Sequence, residues 1–229
     1  MRRQAVKLLP HSFKSILKRT LLEARLRRRI YITATLGEAI RYHPISTIRI
    51  APDRIDRMMT SGEELYREYT PGCVVGGDWD ERTEPFAESV HYRGLKQHFV
   101  DGLPWHETEL YQSAVNREPG SYYHGCETVA DVEERMAYLD SIYQSMEEHG
   151  YLSQRELRRR DNEESSSTPP ELQEVRVDID RHGEPIFDDG RHRFAMAKLL
   201  DIDEIPVIII GRHRAWWEQS GRVVDAANY

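Results

Sequence analysis

Ile186-Phe187-Asp188-Asp189-Gly190-Arg191-His192-Arg193-Phe194-Ala195-Met196-Ala197-Lys198-Leu199-Leu200, followed after Asp201-Ile202-Asp203-Glu204 by Ile205-Pro206-Val207-Ile208-Ile209-Ile210-Gly211-Arg212-His213, decides the fold class of this 229-residue chain. It reads as a strand, a tight glycine turn, a helix opening at Arg191 and a second, apolar strand. That order brings Gly190, Arg191, His192 and Arg193 to the start of a helix, where free backbone N–H groups and the positive end of the dipole favour an anion. Guanidinium groups add charge-assisted hydrogen bonds suited to phosphate. A basic first turn opposes the dipole, so the triplet is either a phosphate grip or a solvated turn, and the dipole favours the grip. Asp189 is a candidate to order the loop or accept a proton, and His192 and His213 are the other candidates for proton transfer.

Over residues 172–213 the chain resembles the signature of the ParB/sulfiredoxin-like superfamily: an acidic residue and glycine, a basic or His-Arg pair, then an alanine-rich helix. The resemblance implies an α+β fold, a mixed sheet with packed helices, in which this stretch holds nucleotide phosphates. It also implies a nucleoside triphosphate, ATP or CTP, as cofactor. The activities it brings into view are phosphoryl transfer or nucleotide hydrolysis, a non-catalytic nucleotide-binding switch, and a nuclease. Sulfiredoxins carry a cysteine within this motif where Arg191 stands here, so their chemistry is not implied.

The expected organisation is a basic amphipathic arm over residues 1–43 and one domain over 44–229. Within the domain, a strand through Thr47–Ile50 ends before Pro52, a mainly helical insertion occupies about 71–160, and a mobile loop spans 161–171, where Asp-Asn-Glu-Glu-Ser-Ser-Ser-Thr-Pro-Pro (Asp161 to Pro170) cannot bury apolar surface. In the insertion, Gly76-Gly77-Asp78-Trp79-Asp80 places two carboxylates at a spacing that aims both at one face of an extended segment. Asp78 and Asp80 are therefore candidate Mg²⁺ ligands, against the plainer reading of a Gly-Gly-Asp turn. Helices are expected around Phe86–Phe99, broken near Gly94; over Trp105–Tyr111; and over Val129–His149, with Thr128 as N-cap and Gly150 beyond the end. Ser153 and Glu156 form a capping box for one more. Val175, Val177 and Ile179 alternate with polar residues as one arm of a hairpin turning at His182-Gly183.

Residues 1–29 hold ten basic residues against Glu23 alone, so an arm of +9 leaves −16 on the rest of a chain whose net charge is −7. An acidic body repels nucleic acid, which makes the arm the one evident basic patch, suited to an anionic membrane surface, an acidic partner or nucleic acid, or simply to packing on its own domain. Only five of the 32 basic residues are lysine, a composition that fits a salt-rich environment or plain codon bias. Cys73 and Cys126 lack metal-site spacing and read as reduced thiols. No apolar stretch approaches membrane-spanning length and no secretory leader is evident, so the expected location is cytoplasmic, peripheral at the membrane if the arm binds there.

Overall fold

The computed structural model describes residues 20–22, 24, 45–65, 68, 70–116, 126–161 and 168–220. Strands β1 (Thr47–Ile50), β2 (Arg57–Met59), β3 (Cys73–Val75) and β4 (Thr83–Pro85) precede helices α1 (Val90–Phe99), α2 (Glu109–Val115), α3 (Val129–His149) and α4 (Gln154–Arg160). Then come β5 (Val175–Ile179), β6 (Pro185–Asp189), α5 (Arg191–Leu199), β7 (Ile205–His213) and α6 (Arg214–Gln219). The chain is thus an α+β protein with a mixed seven-stranded sheet, ordered β1-β7-β5-β6-β2-β4, with β3 also on β7.

β7 is the axis of this sheet because all nine of its residues are buried. One edge pairs in parallel with β5 from Val207 to Arg212. The other is shared lengthwise: β1 runs antiparallel to Ile205–Ile208, and β3 runs parallel to Gly211–His213. Pro206 lies opposite Arg49 of β1, near the strand's beginning, where a missing N–H costs least. Ile205, Val207 and Ile209 turn toward the helices, whereas Ile208 and Ile210 pack with Leu65 on the opposite face. That is the period-2 alternation of a strand buried on both sides.

The helical face carries the main core. Val132, Met136, Leu139 and Met146 of α3 meet Val175, Val177 and Phe187 of the sheet and Phe194 to Ala197 of α5. Phe86, Phe187 and Phe194 form a fully buried aromatic triad with centroids 4.6 to 4.9 Å apart. Each such ring contributes on the order of 1.5–3 kcal/mol by leaving water. α1 crosses α2 so closely that a Cβ on Gly94 would stand 2.3 Å from Leu110 Cβ. The expected break at Gly94 is absent; the glycine instead permits the helix contact, and α1 runs unbroken.

The 71–160 stretch contributes β3 and β4 to the sheet, and its helices α1, α2 and α3 share one core with β5, β6 and α5. Three-residue strands carry too little periodicity to be seen in sequence. Within the expected loop at 161–171, Pro170–Gln173 forms a 3₁₀ turn held by Arg155 to Glu171 and by Arg158 to the Thr168 carbonyl at 2.7 Å, while 162–167 lie outside the described residues. The basic arm also lies largely outside them; its described residues Thr20, Leu21, Leu22 and Ala24 are helical. No helix among the described residues is long and apolar enough to cross a membrane.

Candidate phosphate-binding cleft

The hairpin of β5 and β6 delivers Asp189 to the sheet end, where the chain turns through Gly190 at φ +98° into α5. A side chain there would be strained in the left-handed region, and its Cβ would lie 3.1 Å from Val175 Cα. α5 begins without a side-chain cap and without an acidic residue in its first turn. The other described α-helices are capped, by Ser89, Thr108, Thr128, Ser153 and His213 respectively. Its leading N–H groups open into a cleft of about 470 Å³ bounded by Asp189 to Arg193 on one side and by His91, Arg135, Tyr138 and Ile142 on the other.

The basic triplet is only partly available. Arg191 donates to Glu64 Oε1 at 2.7 Å, and that carboxylate also accepts the Gly62 N–H at 2.8 Å. Arg193 turns inward, donating to the Leu152 carbonyl, standing 3.5 Å from Glu174 Oε2 and lying over the Tyr151 ring at 4.1 Å. Both arginines thus fasten α5 to neighbouring segments and lend the cleft their field more than their fingers. His192 sits edge-on to His91 with ring centroids 5.4 Å apart. Asp189, with 38% of its side chain exposed, pairs with Arg176 at 3.2 Å.

Arg135 and His91 were not singled out by sequence, and they line the wall of the cleft facing the triplet. The Arg135 guanidinium lies 5.2 Å from the Tyr138 ring centre, and its Nε is shielded from solvent with no hydrogen-bond partner among the described residues. A signal existed: Arg135, Tyr138 and Ile142 follow helical spacing directly beside the buried stripe of Val132, Met136 and Leu139.

Beneath the cleft, Glu174 accepts the first N–H of α4, from Gln154, at 2.7 Å. Burial pushes its pKa up to about 7; the Gln154 N–H and Arg193 pull the other way, and Glu171 and Glu156 reinforce the rise. Burial likewise pushes the Tyr151 hydroxyl well up.

Asp78, Asp80 and His213 are elsewhere. Asp189 pairs with Arg176, which pairs with Ile208, and His213 lies five residues further along β7, about 16 Å at the usual rise per residue. There Arg181 gathers the acids: its guanidinium meets Asp80 at 2.6 and 2.8 Å, Asp78 at 3.1 Å and Glu81 at 2.9 Å. Burial works to raise the Asp80 pKa, yet the Arg181 hydrogen bonds hold it below the ordinary value. The two carboxylates expected to hold Mg²⁺ are therefore spent on an arginine, and they do not fit a metal in this arrangement. His213 is occupied too: Nδ1 accepts the Ala215 N–H at 3.1 Å, so Nε2 carries the proton and donates to the Gly77 carbonyl at 2.8 Å. Both ring nitrogens serve the fold, which leaves no lone pair for general-base work. Among the described residues no group of three or more His, Cys, Asp or Glu side chains could hold a metal ion.

A second buried polar group, also unforeseen, lies at the sheet. Asp178 and Asp188 approach each other near Arg212, and Asp178 Oδ1 accepts the Gly211 N–H at 2.7 Å. Complete burial, then the charge of Asp188, drive the Asp178 pKa well above the ordinary value, against the pull of Gly211 and Arg212.

No family model, curated protein or solved structure matches this chain.

Proposed function

We propose that this chain is a nucleotide-binding protein of ParB/sulfiredoxin-like architecture whose cleft at the start of α5 receives the phosphates. The observation that carries the reading is the uncapped amino end of α5 opening onto Arg135, whose buried Nε lacks a hydrogen-bond partner among the described residues. An anion seated there satisfies leading N–H groups of α5, the dipole and the Arg135 guanidinium together. His91 and His192 supply further donors, while Arg191 and Arg193 hold the turn in place.

Binding, and not chemistry, is what this geometry supports best. Phosphoryl transfer depends on neutralising and positioning charge, generally with a carboxylate-held Mg²⁺. Among the described residues the cleft offers the single carboxylate Asp189, which an incoming nucleotide–Mg²⁺ complex would have to draw away from Arg176. That partly exposed acid favours the second reading, a phosphotransferase or nucleotide hydrolase with Asp189 on the metal.

Isothermal titration of the full chain with tripolyphosphate, ATP, CTP and GTP, with and without Mg²⁺, tests the proposal. Wild type is expected to bind, Arg135→Gln to bind on the order of tenfold more weakly, the loss of a charge-assisted hydrogen bond, and Asp78→Asn to bind like wild type. Absence of binding to every phosphate compound, at low and high salt, would sink it; turnover abolished by Asp189→Asn would replace binding alone with catalysis.

A further inference from the structure

Beside the phosphate cleft lies a second cavity, of about 280 Å³, between α3 and α4. The two share Tyr138, Ile142 and Arg193, so they are halves of one groove divided by a ridge on α3. Tyr138 is 53% exposed, whereas Tyr143, on the same helix, is half-buried and stacks on Phe99 at 3.8 Å. An aromatic ring left at the surface where two cavities join serves a ligand better than a core. The second cavity combines apolar walls, Met146 and Leu157, with the hydroxyl of Ser145 and the amide of Gln154. Arg160 of α4 reaches across to Ser145 Oγ at 3.3 Å, holding the two walls together.

We infer that this second cavity is the nucleoside subsite of the same ligand, taking the base and sugar of a nucleotide whose phosphates lie at the start of α5. The inference rests on the phosphate reading and adds the part of the ligand that sets selectivity. A base is flat, apolar on its faces and polar at its edge. The groove matches that pattern, with the Tyr138 ring and aliphatic side chains for the faces and the Gln154 amide, able to donate and accept at once, for the edge. A purely acyl ligand would leave the Gln154 amide without use, and free phosphate would leave the whole cavity without use.

Titration of the full chain compares tripolyphosphate, the four nucleoside triphosphates and the phosphate-free nucleosides on wild type, Ser145→Phe and Ser141→Trp. Both substitutions place bulk in the second cavity from the surface of α3, away from the α5 amino end. At least one nucleoside triphosphate is expected to bind wild type on the order of tenfold more tightly than tripolyphosphate, the scale of one stacked base. In both variants that ratio falls towards one while tripolyphosphate binds as before. Equal affinity for tripolyphosphate and every nucleotide in wild type, or a ratio neither variant moves, overturns the nucleoside subsite and leaves the phosphate reading intact. Nucleosides that bind wild type but not the variants, with tripolyphosphate unbound, support the subsite and overturn the phosphate reading; no binding of any kind overturns both.

Discussion

Glu174 joins three segments at one carboxylate: it caps the α4 amino end through Gln154, faces Arg193 of α5, and lies beside the buried Tyr151. Its folded pKa of about 7 stands above the ordinary 4.5, with burial as the main cause. The folded state therefore binds the proton more tightly than the unfolded chain, and this group's contribution to stability falls as pH rises from about 4.5 to about 7 and then levels. Glu174→Gln removes the titration while keeping shape and an acceptor for Gln154. Melting temperatures across pH 4 to 8 are expected to show the variant gaining on wild type as pH rises through this window; a difference independent of pH would contradict it. At this scale sequence gave the cleft residues Gly190, His192 and Asp189 correctly as neighbours, since adjacency in a turn is local. It could not show that Arg191 is committed to Glu64, 127 residues away, nor that Arg181 holds Asp80, 101 residues away.

α3 is the element on which both halves of the groove depend. Its ends follow local rules: Thr128 and Asp131 form a reciprocal capping box, with Asp131 Oδ2 accepting the Thr128 N–H at 2.8 Å, and Gly150 closes the last turn at φ +72°. Thr128→Ala is expected to cost about 1 kcal/mol, the usual loss of an N-cap, and to leave tripolyphosphate affinity unchanged; chemical denaturation and titration check the two parts. A large loss of affinity would mean that the first turn of α3 itself reaches the anion. α3, α4 and the strands β1, β5 and β6 were legible because each spans enough residues, or carries a strong enough cap, to repeat its pattern. β2, β3 and β4, three residues each, were not. β7 runs beyond its apolar stretch Ile205 to Ile210 through His213, because β3 pairs with Gly211, Arg212 and His213 and keeps the backbone extended.

Across the described chain one main core joins elements distant in sequence, with Ile50 of β1 and Val207 of β7 in the same cluster as Leu139 of α3. Deleting residues 71–160 is therefore expected to abolish cooperative unfolding in urea, whereas a detachable insertion would leave a sharp transition at lower denaturant. What the sequence determined by itself is the alternation of apolar residues along strands, their helical spacing on α3, the caps and the glycine turn at 190, because these depend on residues a few positions apart. That was enough for an α+β chain with a basic helix start at Arg191. Tertiary structure alone decided which polar groups meet: it sent Asp78, Asp80 and His213 to the far end of the sheet, brought Arg135 and His91 to the cleft, and set the charge of Asp188 close to Asp178. Contacts between segments a hundred residues apart follow from strand order and register, and no local periodicity encodes them.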